Sequence, residues 1–352
     1  MLWVMNLRAP ILAAAFSGLV ALGPVAVGQV TILPGTVNTG ISAISDDGTR
    51  VAGTRTGLPP YFWSQATGYQ YLTTPRTPSN FHLSGDGHTL TSTAAFVQQT
   101  FLETDGGEVT VLSFSLPGQV NQSVPTGISR DGSVVCGWDT HTSSSIQVGW
   151  RWSATSGMQV LPGFNFTLSM SGDGRTIFGG NGAGQYGMWR DGVVLPVPNN
   201  FGRVQAVNYD ASILAGDGRI WRDGQITTLP LLPGAGNPEI IDISEDGNVV
   251  VGTNSLFGGG QVPVVWTPAT GTQRLGDYFA SFGYDLSAYR IFNAHVSADG
   301  RTFGMSAEVL ADHSARGIIV TVPAPATAAL LAGFLTLRAP RRRHVAPTGN
   351  PA

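Results

Sequence analysis

The chain has 352 residues, 42 % of them hydrophobic and only 12 % charged, with 47 glycines and a formal net charge of −3. All 19 basic residues are arginines, and five of them (Arg8, Arg338, Arg341, Arg342 and Arg343) lie near the two ends. The stretch between holds 14 arginines and all 22 acids, a balance of −8 that argues against nucleic acid as a partner. Cys136 is alone, which excludes an intrachain disulfide, and the hydrophobic content excludes disorder as the reason for so much glycine.

Residues 1–28 read as a secretory signal peptide. Arg8 supplies the leading charge, the run from Ile11 to Val27 is apolar, and Ala26 and Gly28 are small residues at −3 and −1. Cleavage is expected before Gln29, with an uncleaved membrane anchor as the alternative.

A hairpin unit then recurs seven times. Its clearest copy is Ile243-Ser-Glu-Asp-Gly-Asn-Val-Val-Val-Gly252. Asp-Gly between apolar runs signals a tight turn, because glycine takes positive φ without a Cβ clash. The preceding serine can bond to turn amides, and the valines suit a strand. The turn aspartates are Asp47, Asp86, Asp131, Asp173, Asp210, Asp246 and Asp299, with a mean spacing of 42 residues. The fifth copy is degenerate, with Asn208 for the serine and Ala211 for the glycine. A second hairpin follows in most units: Trp63 to Gly68, Trp152 to Gly157, Trp189 to Gly192, Trp221 to Gly224 and Trp266 to Gly271, with Phe101 and the turn Asp105-Gly-Gly107 in the second unit. Two hairpins per unit make four strands. Repetition at this period points to an all-β, seven-bladed β-propeller.

Residues 29–36 resemble the last strand of later units, such as Met158-Gln-Val-Leu-Pro-Gly163, and the seventh unit lacks that strand. The N-terminal strand is therefore expected to complete the last blade and remove two exposed sheet edges. This sets the propeller at 29–322. The signal helix and a short C-terminal apolar helix lie outside it.

Between units six and seven, residues 277–289 form an aromatic insertion, read either as packing or as a ligand-contacting loop. After Val322-Pro-Ala-Pro325, an apolar run from Ala326 to Leu337 ends in Arg338, Arg341, Arg342 and Arg343. The run is short for a membrane span, which wants ~20 residues, and a basic cluster after it fits a positive-inside stop. Residues 323–344 read as a sorting segment marked by Pro323, Pro325, Arg341, Arg342 and Arg343, with a weak membrane anchor as the alternative; 345–352 read as a disordered tail.

No catalytic residue, cofactor or metal ligand stands out. Each turn generally offers one aspartate and one serine, too few oxygens for a calcium cage, so the seven aspartates read as structural turn residues. The six histidines have no zinc spacing, and no Gly-x-Ser-x-Gly elbow is present. Gly179-Gly-Asn-Gly-Ala-Gly184 lacks the Lys-Ser/Thr of a phosphate loop and reads as a hairpin turn. Carboxylate pairs could converge at the mouth of a propeller channel, but one sequence does not single them out among 22 acids.

Two resemblances follow from these residues. Val322-Pro-Ala-Pro325, the apolar run and the arginine cluster resemble a PEP-CTERM sorting signal in a variant lacking the usual Glu. Ile44-Ser-Asp-Asp-Gly48, Ile128-Ser-Arg-Asp-Gly132 and Ile243-Ser-Glu-Asp-Gly247, each with a following Gly strand, resemble the HAF-type extracellular repeat proteins over most of 37–322. The first implies handling by exosortase-type sorting machinery at the inner membrane of a Gram-negative-type bacterium. The second implies export and a cell-surface or matrix setting, and brings no catalytic residues with it. The resulting expectation is an exported, non-enzymatic module that binds polysaccharide or protein. The alternative is a secreted carbohydrate-active propeller enzyme, hydrolase or lyase.

Overall fold

The computed structural model describes residues 28–35, 38–73, 78–94, 99–112, 121–141 and 147–324. They form seven four-stranded antiparallel sheets. Six sheets are each continuous in sequence: 39–71, 78–112, 121–160, 166–196, 206–228 and 235–274. The seventh joins the strands Tyr289–Val296, Thr302–Val309 and Ala315–Thr321 to the N-terminal strand Gln29–Ile32. Gln29 pairs with Thr321 and Ile32 with Ile318, so the first strand closes the ring. The fold is a seven-bladed β-propeller, as the repeat count and the orphan N-terminal strand foretold.

Local sequence explains each blade. The innermost strand ends at the turn serine, and the turn glycines take positive φ: +71° at Gly48, +71° at Gly132 and +62° at Gly247. Six innermost strands carry a register shift; in five it falls immediately before the turn, as between Ile41 and Ala43 or Ile240 and Asp242. Such a bulge bends the strand and brings its backbone toward the next one. The glycine of the second strand accommodates that approach. A Cβ at Gly252 would overlap the Glu239 carbonyl oxygen, and one at Gly53 would overlap that of Gly40.

The core lies between blades. Among the described residues, seven apolar clusters each draw on two neighbouring blades. Leu33, Ile41, Val51, Tyr61 and Ile319 join blade seven to blade one. Cys136, wholly buried, sits with Leu161, Met170 and Ile177 between blades three and four, and burial pushes its thiol up to about 12.

The insertion after blade six opens with helix α1, Leu275–Ala280. Its Leu275, Tyr278 and Phe279 are buried against blade seven, with Phe279 edge-on to Phe303 at 5.1 Å. Packing therefore accounts for its aromatic side. Pro323 follows the last strand, whereas Pro325, Arg341, Arg342 and Arg343, the signal segment 1–27 and the tail lie outside the described residues.

Candidate active site

The innermost strands and their turns surround a central cavity of about 410 Å³. Within each turn, adjacent residues do different work. The serine faces into the blade and is buried, at 0 % exposure for Ser45, Ser84, Ser171, Ser244 and Ser297. Its hydroxyl donates to the turn aspartate and accepts the amide five residues on: Ser45 Oγ lies 2.6 Å from Asp47 Oδ1 and 3.0 Å from the Arg50 nitrogen. The same pattern holds at Asp86, Asp131, Asp173, Asp246 and Asp299. At Asp210 the oxygen accepts the Ser212 amide, while Asn208 Oδ1 takes the Ile213 amide. None of the seven aspartates lines the cavity.

The residue between serine and aspartate does line it. Taken around the ring, that position holds Asp46, Gly85, Arg130, Gly172, Tyr209, Glu245 and Ala298. Backbone bonds tie these turns into a closed rim. The Asp46 amide donates to Gly85 O, Asp86 to Arg130, Arg130 to Gly172, Asp173 to Tyr209, Glu245 to Ala298, and Ala298 back to Asp46, all within 2.7–2.9 Å. The remaining link is made by the Glu245 carboxylate, which accepts the Tyr209 amide at 3.2 Å.

Arg130 reaches across this rim. Its Nε pairs with Asp46 Oδ2, its Nη2 lies 3.1 Å from Glu245 Oε2, and its guanidinium stacks 4.6 Å from the Tyr209 ring centroid. Small neighbours leave it room: a Cβ at Gly85 would lie 2.6 Å from Arg130 Cγ, and one at Gly172 would lie 2.8 Å from the Tyr209 ring. The side chains of Asp46, Arg130 and Glu245 remain 37 %, 37 % and 40 % exposed, so solvent and solutes reach them.

A second layer lies two residues before the serine, at His82, Asp242 and His295. His295 Nδ1 stands 3.8 Å from Asp242 Oδ2, and that oxygen also accepts the Val296 amide at 3.1 Å. Burial, then the nearby His295, pushes the His82 imidazole down to about 4, against a bond to the Pro125 backbone. His82 is thus neutral at ordinary pH, with one ring nitrogen a hydrogen-bond acceptor. Burial raises the proton affinity of Asp46; Arg130 pulls it back, and Asp242 and Asp47 push it further up. Glu245 is raised for the same leading reason, opposed by the Tyr209 amide and Arg130 and helped by Asp46.

Carboxyls with raised proton affinity, set beside a further carboxyl group and two imidazoles, are groups that can give and take protons. Arg130 supplies a fixed positive charge beside them. Among the described residues no group of three or more His, Cys, Asp or Glu stands close enough to hold a metal ion. The sequence pass over the turns singled out the repeated aspartate and missed the residue before it. A signal was present: aligned on the turn, that column varies in charge and size from unit to unit, unlike the serine and aspartate that flank it.

No protein-family profile matches the chain, and no curated protein matches it. Solved structures do. An oligogalacturonate lyase in complex with manganese superposes with a TM-score of 0.56 at 12 % identity, over 84 % of this chain and 93 % of that one. A streptogramin B lyase gives 0.51 at 13 %, over 84 % and 98 %. The β-propeller domain of Myceliophteria thermophila Cps50 (Swd1) gives 0.51 at 11 %, over 83 % and 99 %. At such identities the likeness is one of fold, and it places the chain in the class of β-propellers.

One expectation is corrected. The sequence alone singles out no convergent set of acids, and on that ground a non-enzymatic module is the leading expectation. Two of these three similar structures are lyases, so the fold is shared with enzymes and gives the non-enzymatic expectation no support. The physical ground for that expectation also fails, because the acids converge through residues that the repeat motif leaves variable.

Proposed function

We propose that the protein is a carbohydrate-active propeller enzyme, a hydrolase or lyase, working by general acid–base chemistry at the channel mouth. The observation that carries this reading is the meeting of Asp46, Asp242 and Glu245 with Arg130, Tyr209, His82 and His295 in one cavity. Hydrolysis and elimination both need a proton donor and a proton acceptor held apart, and carboxyls of raised proton affinity beside a neutral imidazole supply them. A volume of about 410 Å³ suits one or two sugar rings. The lyases of similar fold support placing elimination beside hydrolysis.

The setting is inferred from sequence. A signal segment at 1–28 and a sorting segment at 323–344 support export, transient engagement of exosortase-type machinery at the inner membrane, and a place at the cell surface, where polysaccharide is at hand. Incubating the protein with a panel of neutral, amino and acidic polysaccharides tests the function. New reducing ends, or the ultraviolet absorbance of an unsaturated sugar, are the expected result and separate hydrolysis from elimination. Binding without any product across the panel contradicts the enzymatic reading.

A further inference from the structure

The mouth holds one fixed cation against three carboxylates. Arg130 lies between Asp46 and Glu245, and Asp242 stands deeper in the same cavity. Among the described residues no other arginine lines the cavity, and His82 is neutral above about pH 4. One guanidinium against three carboxyl groups leaves the mouth short of positive charge. The remaining wall mixes the polar side chains of Ser42 and Gln205 with apolar ones such as Phe81, Leu168 and Ile241, while the Ser169 hydroxyl is buried on the Val204 carbonyl and that of Thr126 bonds to Thr167. A substrate bringing another carboxylate adds to the imbalance in a partly desolvated space. A substrate bringing an ammonium offsets it, and its hydroxyls find partners on Ser42 and Gln205.

We propose that the channel mouth selects a cationic, polyhydroxylated ligand: a glycan of amino sugars with free ammonium groups. The proposal rests on the acid–base enzyme reading for the choice of a glycan, and on Asp46, Asp242, Glu245 and Arg130 for the sign of its charge. It sets the specificity of this chain apart from that of an enzyme for uronates, despite the shared fold.

The test is calorimetric titration of the full chain with short oligomers, equal in length, of glucosamine, N-acetylglucosamine and galacturonate, at about pH 6 so that the amine is protonated. The glucosamine oligomer should bind at least about 10-fold more tightly than either of the others at low salt, and the advantage should shrink as salt rises. Asp242→Asn and Glu245→Gln should each reduce that advantage, the second serving as a check should the first disturb the backbone bonds at Asp242. Equal affinities, a preference for galacturonate, or no binding by any oligomer overturns the proposal. Products assayed in the same mixtures separate the two readings. Preferential glucosamine binding without product leaves the charge selection standing and sinks the enzyme, whereas turnover of galacturonate alone does the reverse.

Discussion

Ala211 stands where the other turns have glycine, with φ at +59°. A left-handed conformation costs an L-residue about 1–2 kcal/mol, part of which glycine returns through its unfolded-state freedom. Ala211→Gly should therefore stabilise the protein by about 0.5–1 kcal/mol in urea unfolding; a loss of stability would show that the methyl, buried beside Leu214, matters more. His82 carries the acid response of the channel. Burial pushes its imidazole down to about 4 from the ordinary 6.5, so between those values the unfolded chain takes up a proton that the folded one refuses. Stability from this group is present above the unfolded value and is lost as pH falls through the window, by at most about 3 kcal/mol. Asp46 and Glu245 act in the opposite sense, since the folded state holds their protons more tightly and gains stability as they protonate. Unfolding His82→Gln beside the parent at pH 6.5 and 4.5 isolates the histidine: the parent should lose more stability on acidification than the variant. Equal losses would mean that the imidazole is free to charge. At this scale the turn aspartates were legible because Asp-Gly has one local meaning. Asp46, Arg130 and Glu245 were not, because their role depends on neighbours more than 80 residues away around the ring.

The hairpin element combines a turn, a bulge and a glycine that admits the bulged backbone. Gly252 stands in the second strand, and the Glu239 carbonyl oxygen fills the space its Cβ would take. Gly252→Ala should cost about 3 kcal/mol, since only backbone movement relieves the overlap; a change within experimental error in the urea midpoint would mean that the strand pair yields easily. The bulge itself left no mark in the sequence. It adds a residue to one strand without changing the apolar pattern, yet it fixes which side chains enter the channel. The insertion shows the same limit. Its aromatic run left packing and ligand contact both open, and Tyr278 and Phe279, carried on α1, pack on Phe303 at 5.8 and 5.1 Å.

At the scale of the molecule, seven blade-to-blade clusters make each blade depend on its neighbours, and the N-terminal strand closes the circle. The closure was legible because the seventh unit visibly lacks a strand that residues 29–36 supply. Leu33, 2 % exposed, anchors that strand between blades seven and one. Leu33→Ala should cost about 3 kcal/mol by leaving a cavity at the seam, measured as a lower urea midpoint; an unchanged midpoint would show that the seam does not depend on this contact. The rim of backbone bonds at the turns gives the mouth its rigidity, and onto it the chain places acids from blades one and six and an arginine from blade three. That assembly is the central claim, and turnover by the rim variants tests it most directly. Once a cleaved glycan is in hand, kcat of Asp46→Asn and Glu245→Gln at saturating substrate should fall about 10²–10⁴-fold, with the circular dichroism unchanged. Turnover at the parental rate in both variants would contradict the assignment of the channel mouth as the active site.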